Sequence, residues 1–269
     1  MPTGYRWNGK GWIKRKTARE IDYGTFEDEA WGLLVSYWRW YPDRFLDTLE
    51  SENADFSLAL VQRINLRALA RNRETFITGS RGTSKTFTSF LSEMTDGVLW
   101  PGTVVSYFGP SQKQSAKLAA DAFQQIRKNY PGLAAHWSVK AQTKEKFEIR
   151  TDYGSVISIT AMRGENSTQV LAEEVGQEEL PQFDHQSFRS IVLPAVRLQH
   201  MVGKKPDETH IDFKKGYITS ASRQQNDAYE YRSSILQGMA AGESCFAIDY
   251  PWQVAVLCGI RDVQWAMDL

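Results

Sequence analysis

The stretch Thr75-Phe-Ile-Thr-Gly79-Ser-Arg-Gly82-Thr-Ser-Lys85-Thr86-Phe-Thr-Ser-Phe90 constrains this chain more than any other. It reads as a short apolar strand running into a glycine-containing turn and then, from about Lys85, into a helix. That is the setting in which backbone N–H groups and a helix N-terminus wrap phosphate. In such a loop a lysine meets the β and γ oxygens, and the hydroxyl residue after it holds Mg²⁺. Gly79, Ser80, Arg81, Gly82, Thr83 and Ser84 would supply the wrapping backbone, Lys85 the ammonium and Thr86 the hydroxyl. The pattern G-x-x-x-x-G-K-[ST] asks for glycine just before the lysine, where this chain has Ser84. Serine keeps the N–H, but its β-carbon restricts positive φ, so the loop is expected to avoid that region at Ser84. As an isolated string the alternative is a flexible turn with a solvated lysine.

Around this loop the chain alternates strand and helix. Before it, Phe26 to Tyr41 has helical spacing of Phe26, Ala30, Leu33, Leu34, Tyr37, Trp38 and Tyr41, an aromatic stripe for core or interface, and Pro42 closes it. Asp43 to Glu50 is a candidate short helix, and Ser57 to Ala70 a longer one. Gln62 lies on the latter, seventeen residues before Gly79. Its amide both donates and accepts, so it can read an adenine edge or serve as an ordinary surface glutamine. After the loop we expect a helix from Thr86 to Gly97, a strand from Thr103 to Phe108 and a helix from Gln112 to Tyr130. A hairpin follows, Phe147 to Arg150 and Val156 to Thr160 about Asp152-Tyr-Gly154. The order strand, helix, strand, helix is the grammar of a parallel sheet flanked by helices.

Farther on, Thr168 to Ala172 is a strand that leads directly into Glu173-Glu174. Carboxylates at such a strand end can hold a metal-bound water and orient an attacking one, or line a solvated loop. Ser187 to Gln199 reads as a helix interrupted by Pro194, Gly216 to Ser222 as a strand ending in small hydroxyl residues, and Arg223 to Ala241 as a polar helix. Phe246 to Ile248 and Val254 to Leu257 are two short strand candidates.

Net charge decides little about partners. Lys and Arg number 32 against 32 Asp and Glu, so nucleic acid would have to meet a local patch. One candidate is the arm 1–19, where Arg6, Lys10, Lys14, Arg15, Lys16 and Arg19 alternate with Tyr5, Trp7 and Trp12. It can grip phosphates and stack on bases or a partner, or pack back on its own domain. Cys245 and Cys258 have no metal-ligand spacing and read as reduced thiols of a cytosolic protein. No run approaches the eighteen apolar residues of a membrane span.

Taken in order, these parts resemble the ATPase domain of phage terminase large subunits, the motors that package viral DNA. The resemblance covers roughly residues 42 to 235. It rests on Gln62, on Gly79-Ser-Arg-Gly-Thr-Ser-Lys-Thr86 as a Walker A variant and on Tyr107-Phe-Gly-Pro-Ser111. Met162-Arg-Gly164, Leu171-Ala-Glu-Glu174 as Walker B with its catalytic glutamate, and Thr219-Ser-Ala-Ser222 as the coupling motif complete it. Glu173 stands where the family has aspartate; the extra methylene would reach Mg²⁺ from slightly farther out, through water.

The resemblance implies an α/β P-loop NTPase fold of the ASCE/RecA-like type, with a central mainly parallel sheet between helices and an N-terminal helical extension. Its implied organisation is an arm and extension over 1–55, an ATPase core over 56–240 and a C-terminal segment, linker or lid over 241–269. It implies ATP as substrate and Mg²⁺ as cofactor. Lys85 would neutralise phosphate charge, Thr86 and Glu173 hold the metal, and Glu174 orient the attacking water. Arg81 is the arginine within the loop. Arg163 is a candidate trans-acting finger, or a structural ion pair or DNA phosphate contact. Thr219, Ser220, Ala221 and Ser222 would couple hydrolysis to movement.

The implied partners are double-stranded DNA, a portal protein, a small terminase subunit and a homo-oligomeric ring, a pentamer, in the host cytoplasm, with no membrane. Only forty-seven residues follow Ser222, so a nuclease domain and DNA cleavage are not expected, and Asp249, Asp262 and Asp268 read as turn residues. Two other readings remain at this point: a single-domain helicase-like ATPase, and an inactive nucleotide-fold binding module.

Overall fold

The computed structural model describes residues 5–7, 12–14, 26–80, 82–109, 112–143, 146–159, 169–173, 189–190, 193–220 and 227–264. The arm contributes β1 (Tyr5–Trp7) and β2 (Trp12–Lys14), an antiparallel pair in which Trp7 faces Trp12 in register. Next come α1 (Phe26–Trp40), α2 (Pro42–Asp47), α3 (Leu60–Arg71), β3 (Glu74–Gly79) and α4 (Lys85–Leu99). β4 (Val104–Phe108), α5 (Gln112–Asn129) and α6 (Pro131–Ala134) follow, then β5 (Trp137–Gln142), β6 (Phe147–Thr151), β7 (Val156–Ile159) and β8 (Gln169–Glu173). The chain continues through a helical turn α7 (Leu193–Ala195), β9 (Met201–Val202), β10 (Lys205–Pro206), β11 (Lys214–Thr219), α8 (Asp227–Ala240), β12 (Cys245–Tyr250) and α9 (Trp252–Leu257).

The main sheet has the order β12-β3-β11-β8-β4-β7-β6-β5. Strands β12 through β7 are mutually parallel, and β6 and β5 finish the sheet antiparallel, joined to β7 by the expected hairpin. The placement of β11 between β3 and β8 is the additional-strand arrangement of the ASCE class, so the expected P-loop NTPase fold is present.

Alternation along the central strands feeds two cores, as parallel strands covered on both faces require. Phe76, Tyr217, Val170, Ala172 and Phe108 pack on one face with Ala228 and Ile235 of α8. Ile77, Ile218, Leu171 and Tyr107 point to the other, against Leu66 and Leu69 of α3, Phe90, Leu91 and Met94 of α4, and Phe123 and Ile126 of α5. Each such side chain contributes about 1.5–3 kcal/mol by leaving water.

The N-terminal helices are held by charge. Asp43 of α2 is fully buried and accepts from Arg67 Nη2 at 2.7 Å and Arg63 Nη1 at 3.4 Å. Burial opposes its ionisation, but the bonds and charges of Arg67 and Arg63 outweigh it and hold the carboxyl below its usual range. On α1 the aromatic stripe divides: Trp38 packs on the core, while Trp31, Leu33, Tyr37 and Trp40 are exposed.

Several expectations are corrected. Pro42 opens α2 as well as following α1. The helix after the loop does not end at Gly97 but runs to Leu99, because Gly97 is a packing glycine: a β-carbon there would lie 2.6 Å from the Trp137 ring. Val254–Leu257 is helical, started by Pro251, since a four-residue apolar run does not by itself distinguish strand from helix. Asp249 is no turn residue; it sits in β12 and accepts from Arg232 Nε of α8 at 2.9 Å. The described part of 187–199 is helical at Arg189–Ser190 and at Leu193–Ala195, and helix does not extend to Gln199.

Candidate phosphate-binding site

β3 ends at Gly79 and α4 begins at Lys85, so the intervening residues turn the chain from a strand C-terminus onto a helix N-terminus. The turn needs left-handed backbone. Gly82 has φ 74°, and Ser84, the residue before the helix, has φ 60° and ψ 25°. The expectation that Ser84 would avoid positive φ is therefore wrong. The turn dictates the dihedral, and the serine β-carbon accepts a strain of about 1–2 kcal/mol. Ser84 O then accepts the first helical bond, from Thr88 N at 2.9 Å.

Lys85 is buried, and its ammonium donates to Gly79 O and Ser80 O, both at 2.9 Å, and to Ser220 Oγ at 3.2 Å. The lysine thus joins the phosphate loop to the residue that follows β11. Thr83 Oγ1 braces the loop by donating to Ser80 O at 2.7 Å. Ser80 Oγ is buried and has no hydrogen-bond partner among the described residues. Thr86 stands one residue into α4, partly exposed.

Some of the other expected positions lie at the same end of the sheet for a topological reason: parallel strands end together. In register, Thr219 pairs with Thr78 next to the loop, and Glu173, the last residue of β8, pairs with Ile218. Thr219 and Ser220 are both buried. Gln62 is no surface glutamine. It is 3% exposed, and its Oε1 accepts the Ala59 N–H at 2.8 Å, completing the first turn of α3. Arg81, Arg163, Glu174, Ala221 and Ser222 lie outside the described residues.

Three residues that the sequence did not single out meet the loop. Tyr250 ends β12 in register with Gly79, so closely that a β-carbon on Gly79 would lie 2.5 Å from its ring. Asn65 Nδ2 of α3 donates to Tyr250 Oη at 3.2 Å. Arg261 Nε donates to Gly82 O at 2.9 Å. No local pattern marks these contacts, because strand pairing brings Tyr250 to Asn65 across 185 residues of sequence and the chain's return brings Arg261 to Gly82 across 179.

The fold is that of a P-loop NTPase. The chain is similar to phage large terminases. It matches the large terminase of a thermophilic bacteriophage with a TM-score of 0.45 and 11% identity, over 74% of this chain and 44% of that one. This chain therefore spans less than half of that protein's length. It matches the large terminase ATPase domain of Thermus phage P74-26 with a TM-score of 0.40 and 13% identity, over 79% of this chain and 96% of that domain. No protein-family description and no curated protein sequence matched it.

Proposed function

We propose that this chain is the ATP-hydrolysing motor domain of a viral terminase large subunit, driving double-stranded DNA into a procapsid. The observation that carries the nucleotide part is the Lys85 ammonium, buried beneath a left-handed loop at a helix N-terminus and bonded across to Ser220. An ammonium held in the loop at a helix N-terminus, beside a Ser80 hydroxyl that has no hydrogen-bond partner among the described residues, suits an anionic ligand. The packaging part rests on the ordered motifs and on the additional-strand topology that places the Thr219-Ser220 strand end beside the loop.

Chemically, the loop amides and the α4 N-terminus would bind the phosphates, and Lys85 would exchange its bond to Ser220 Oγ for one to a phosphate oxygen. Release of Ser220 by that exchange would pass nucleotide state to the segment after β11. Among the described residues no group of three or more His, Cys, Asp or Glu could hold a metal. Mg²⁺ does not need one here: the Thr86 hydroxyl and the Glu173 carboxylate are the hard oxygen donors it takes, with water and phosphate completing its shell. When bound, the ion would neutralise charge on the β and γ oxygens. Glu174 would orient the attacking water, and an arginine, Arg81 in the loop or Arg163 from a neighbouring subunit in a homo-oligomeric ring, would meet the γ-phosphate. The ring would act with portal protein and small terminase subunit. No described helix is long and apolar enough to cross a membrane.

The test is phosphate release from Mg-ATP by the full chain, with and without double-stranded DNA, against Lys85→Ala and Glu174→Ala. Loss of turnover in both variants supports the reading; equal rates in all three remove it. Strand unwinding by the wild type would favour a helicase-like ATPase instead.

A further inference from the structure

A buried hydrogen bond ties α3 to Tyr250, the β12 residue that packs on the phosphate loop. The Asn65 Nδ2 amide donates to Tyr250 Oη, so the tyrosine proton is directed elsewhere. Within the loop the Thr83 hydroxyl donates to Ser80 O. Asn65, Thr83 and Tyr250 are 3%, 2% and 5% exposed, so water does not compete for these bonds. Asn65 lies one helical turn from Gln62 on the same face of α3, which connects the candidate base side of the site with its phosphate side.

The second contact comes from the chain after α9. Arg261 Nε donates to Gly82 O, the carbonyl of the peptide whose N–H belongs to Thr83. A guanidinium bonded to that oxygen polarises the peptide and strengthens the N–H on its other end as a donor. Tyr250 also packs directly on Gly79, at the start of the loop. The C-terminal strand and the turn after α9 thus hold the loop at its beginning and at its middle.

We propose that Tyr250 and Arg261 are positioning residues for the nucleotide phosphates: they fix the phosphate loop and sharpen its Thr83 N–H without touching the ligand. This rests on the nucleotide-binding reading of the loop. It makes the segment after β12 part of the ATP site.

Two readouts separate the inference from the reading beneath it. Hydrogen exchange of the peptide covering 79–86 reports loop order without requiring activity, and steady-state hydrolysis by the full chain reports the phosphates. Arg261→Ala is expected to speed loop exchange several-fold and raise KM for ATP about tenfold with kcat nearly kept, and Arg261→Lys to recover part of both. The isosteric Tyr250→Phe is expected to speed loop exchange and raise KM by a smaller factor, with the melting temperature close to wild type. Wild-type exchange and wild-type KM in Arg261→Ala and Tyr250→Phe would overturn the inference while leaving hydrolysis intact. A wild type that neither binds nor hydrolyses ATP, yet shows the faster loop exchange in both variants, would overturn the nucleotide reading and retain the loop-holding role.

Discussion

The two ends of the β3, β11 and β8 strands handle polarity in opposite ways. At the C-terminal ends Lys85 rests on neutral oxygens, Ser84 is strained, and Ser80 Oγ lacks a partner among the described residues. At the N-terminal ends charged groups of both signs are buried together, while Gln169 Oε1 and His210 Nε2 have no hydrogen-bond partner among the described residues. Lys214 of β11 is paired with Asp96 of α4, and Gln169 of β8 donates to Glu93 of α4. Beside them the His200 and His210 rings stack 4.6 Å apart, bracketed by Asp207 and Asp212. Lys85 and Asp96 share α4 but stand roughly 16 Å apart along its axis at 1.5 Å per residue. One end carries the lysine of the proposed phosphate loop, and the other buries charges of both signs against each other. The proposed binding site and the buried ion pairs thus lie at opposite poles of one helix.

Exchanging the roles of two lysines is the strongest way to break this comparison. Lys85→Ala should reduce ATP turnover by about 100- to 1000-fold, the range for losing one charge-stabilising donor at a reacting centre, measured as phosphate release. Lys214→Ala should leave Asp96 and Glu93 buried without their cation and destabilise by about 3–5 kcal/mol in denaturant titration. If Lys85→Ala proves the more destabilising of the two, the division of labour is wrong.

The pH dependence of stability should carry the signature of the far end. Burial, reinforced by the Asp96 charge and opposed by Lys214 and Gln169, pushes the Glu93 carboxyl up to about 8. The folded state therefore binds a proton that the unfolded chain releases, and stability falls as pH rises toward about 8. His210 acts oppositely at lower pH: burial, with Lys214 and His200, pulls it down to about 4 against the Asp212 and Asp96 carboxylates, so stability rises up to its unfolded value of 6.5. Between pH 6.5 and 8 Glu93 acts without that opposition, for a loss of on the order of 2 kcal/mol. Glu93→Gln should flatten that limb in melts recorded across the range, and an unchanged limb would assign it elsewhere.

The smallest expected effect is at the near end. Ser84→Gly removes about 1–2 kcal/mol of left-handed strain and returns roughly 0.5–1 kcal/mol of backbone entropy to the unfolded chain. A net gain of a few tenths to about 1 kcal/mol should appear as a melting temperature higher by about 2 °C. A lower melting temperature would mean that the serine side chain contributes more than its strain costs.

Much of this was legible in the residues because it is local. Apolar strand, glycine turn and helix around Lys85, and the hairpin about Gly154, follow from spacing and turn chemistry. What was not legible depended on packing. Gly97 has the look of a helix end in the sequence, but Trp137 lies against it and the helix runs on; Gln62 reads as a surface residue, but its place at the first turn of α3 buries it. The run Val254 to Leu257 is too short to reveal its period.

The sequence by itself determined the alternation of strands and helices, the loop with its lysine and hydroxyl, and the order of the motifs, because each is written in neighbouring residues. Only the tertiary structure decided that β11 lies between β3 and β8, that Ser84 bends left-handed, and that Tyr250 and Arg261 return to hold the loop. Those depend on which distant strands pair and on what a closed turn demands of its backbone. Neither is encoded in any short stretch of chain.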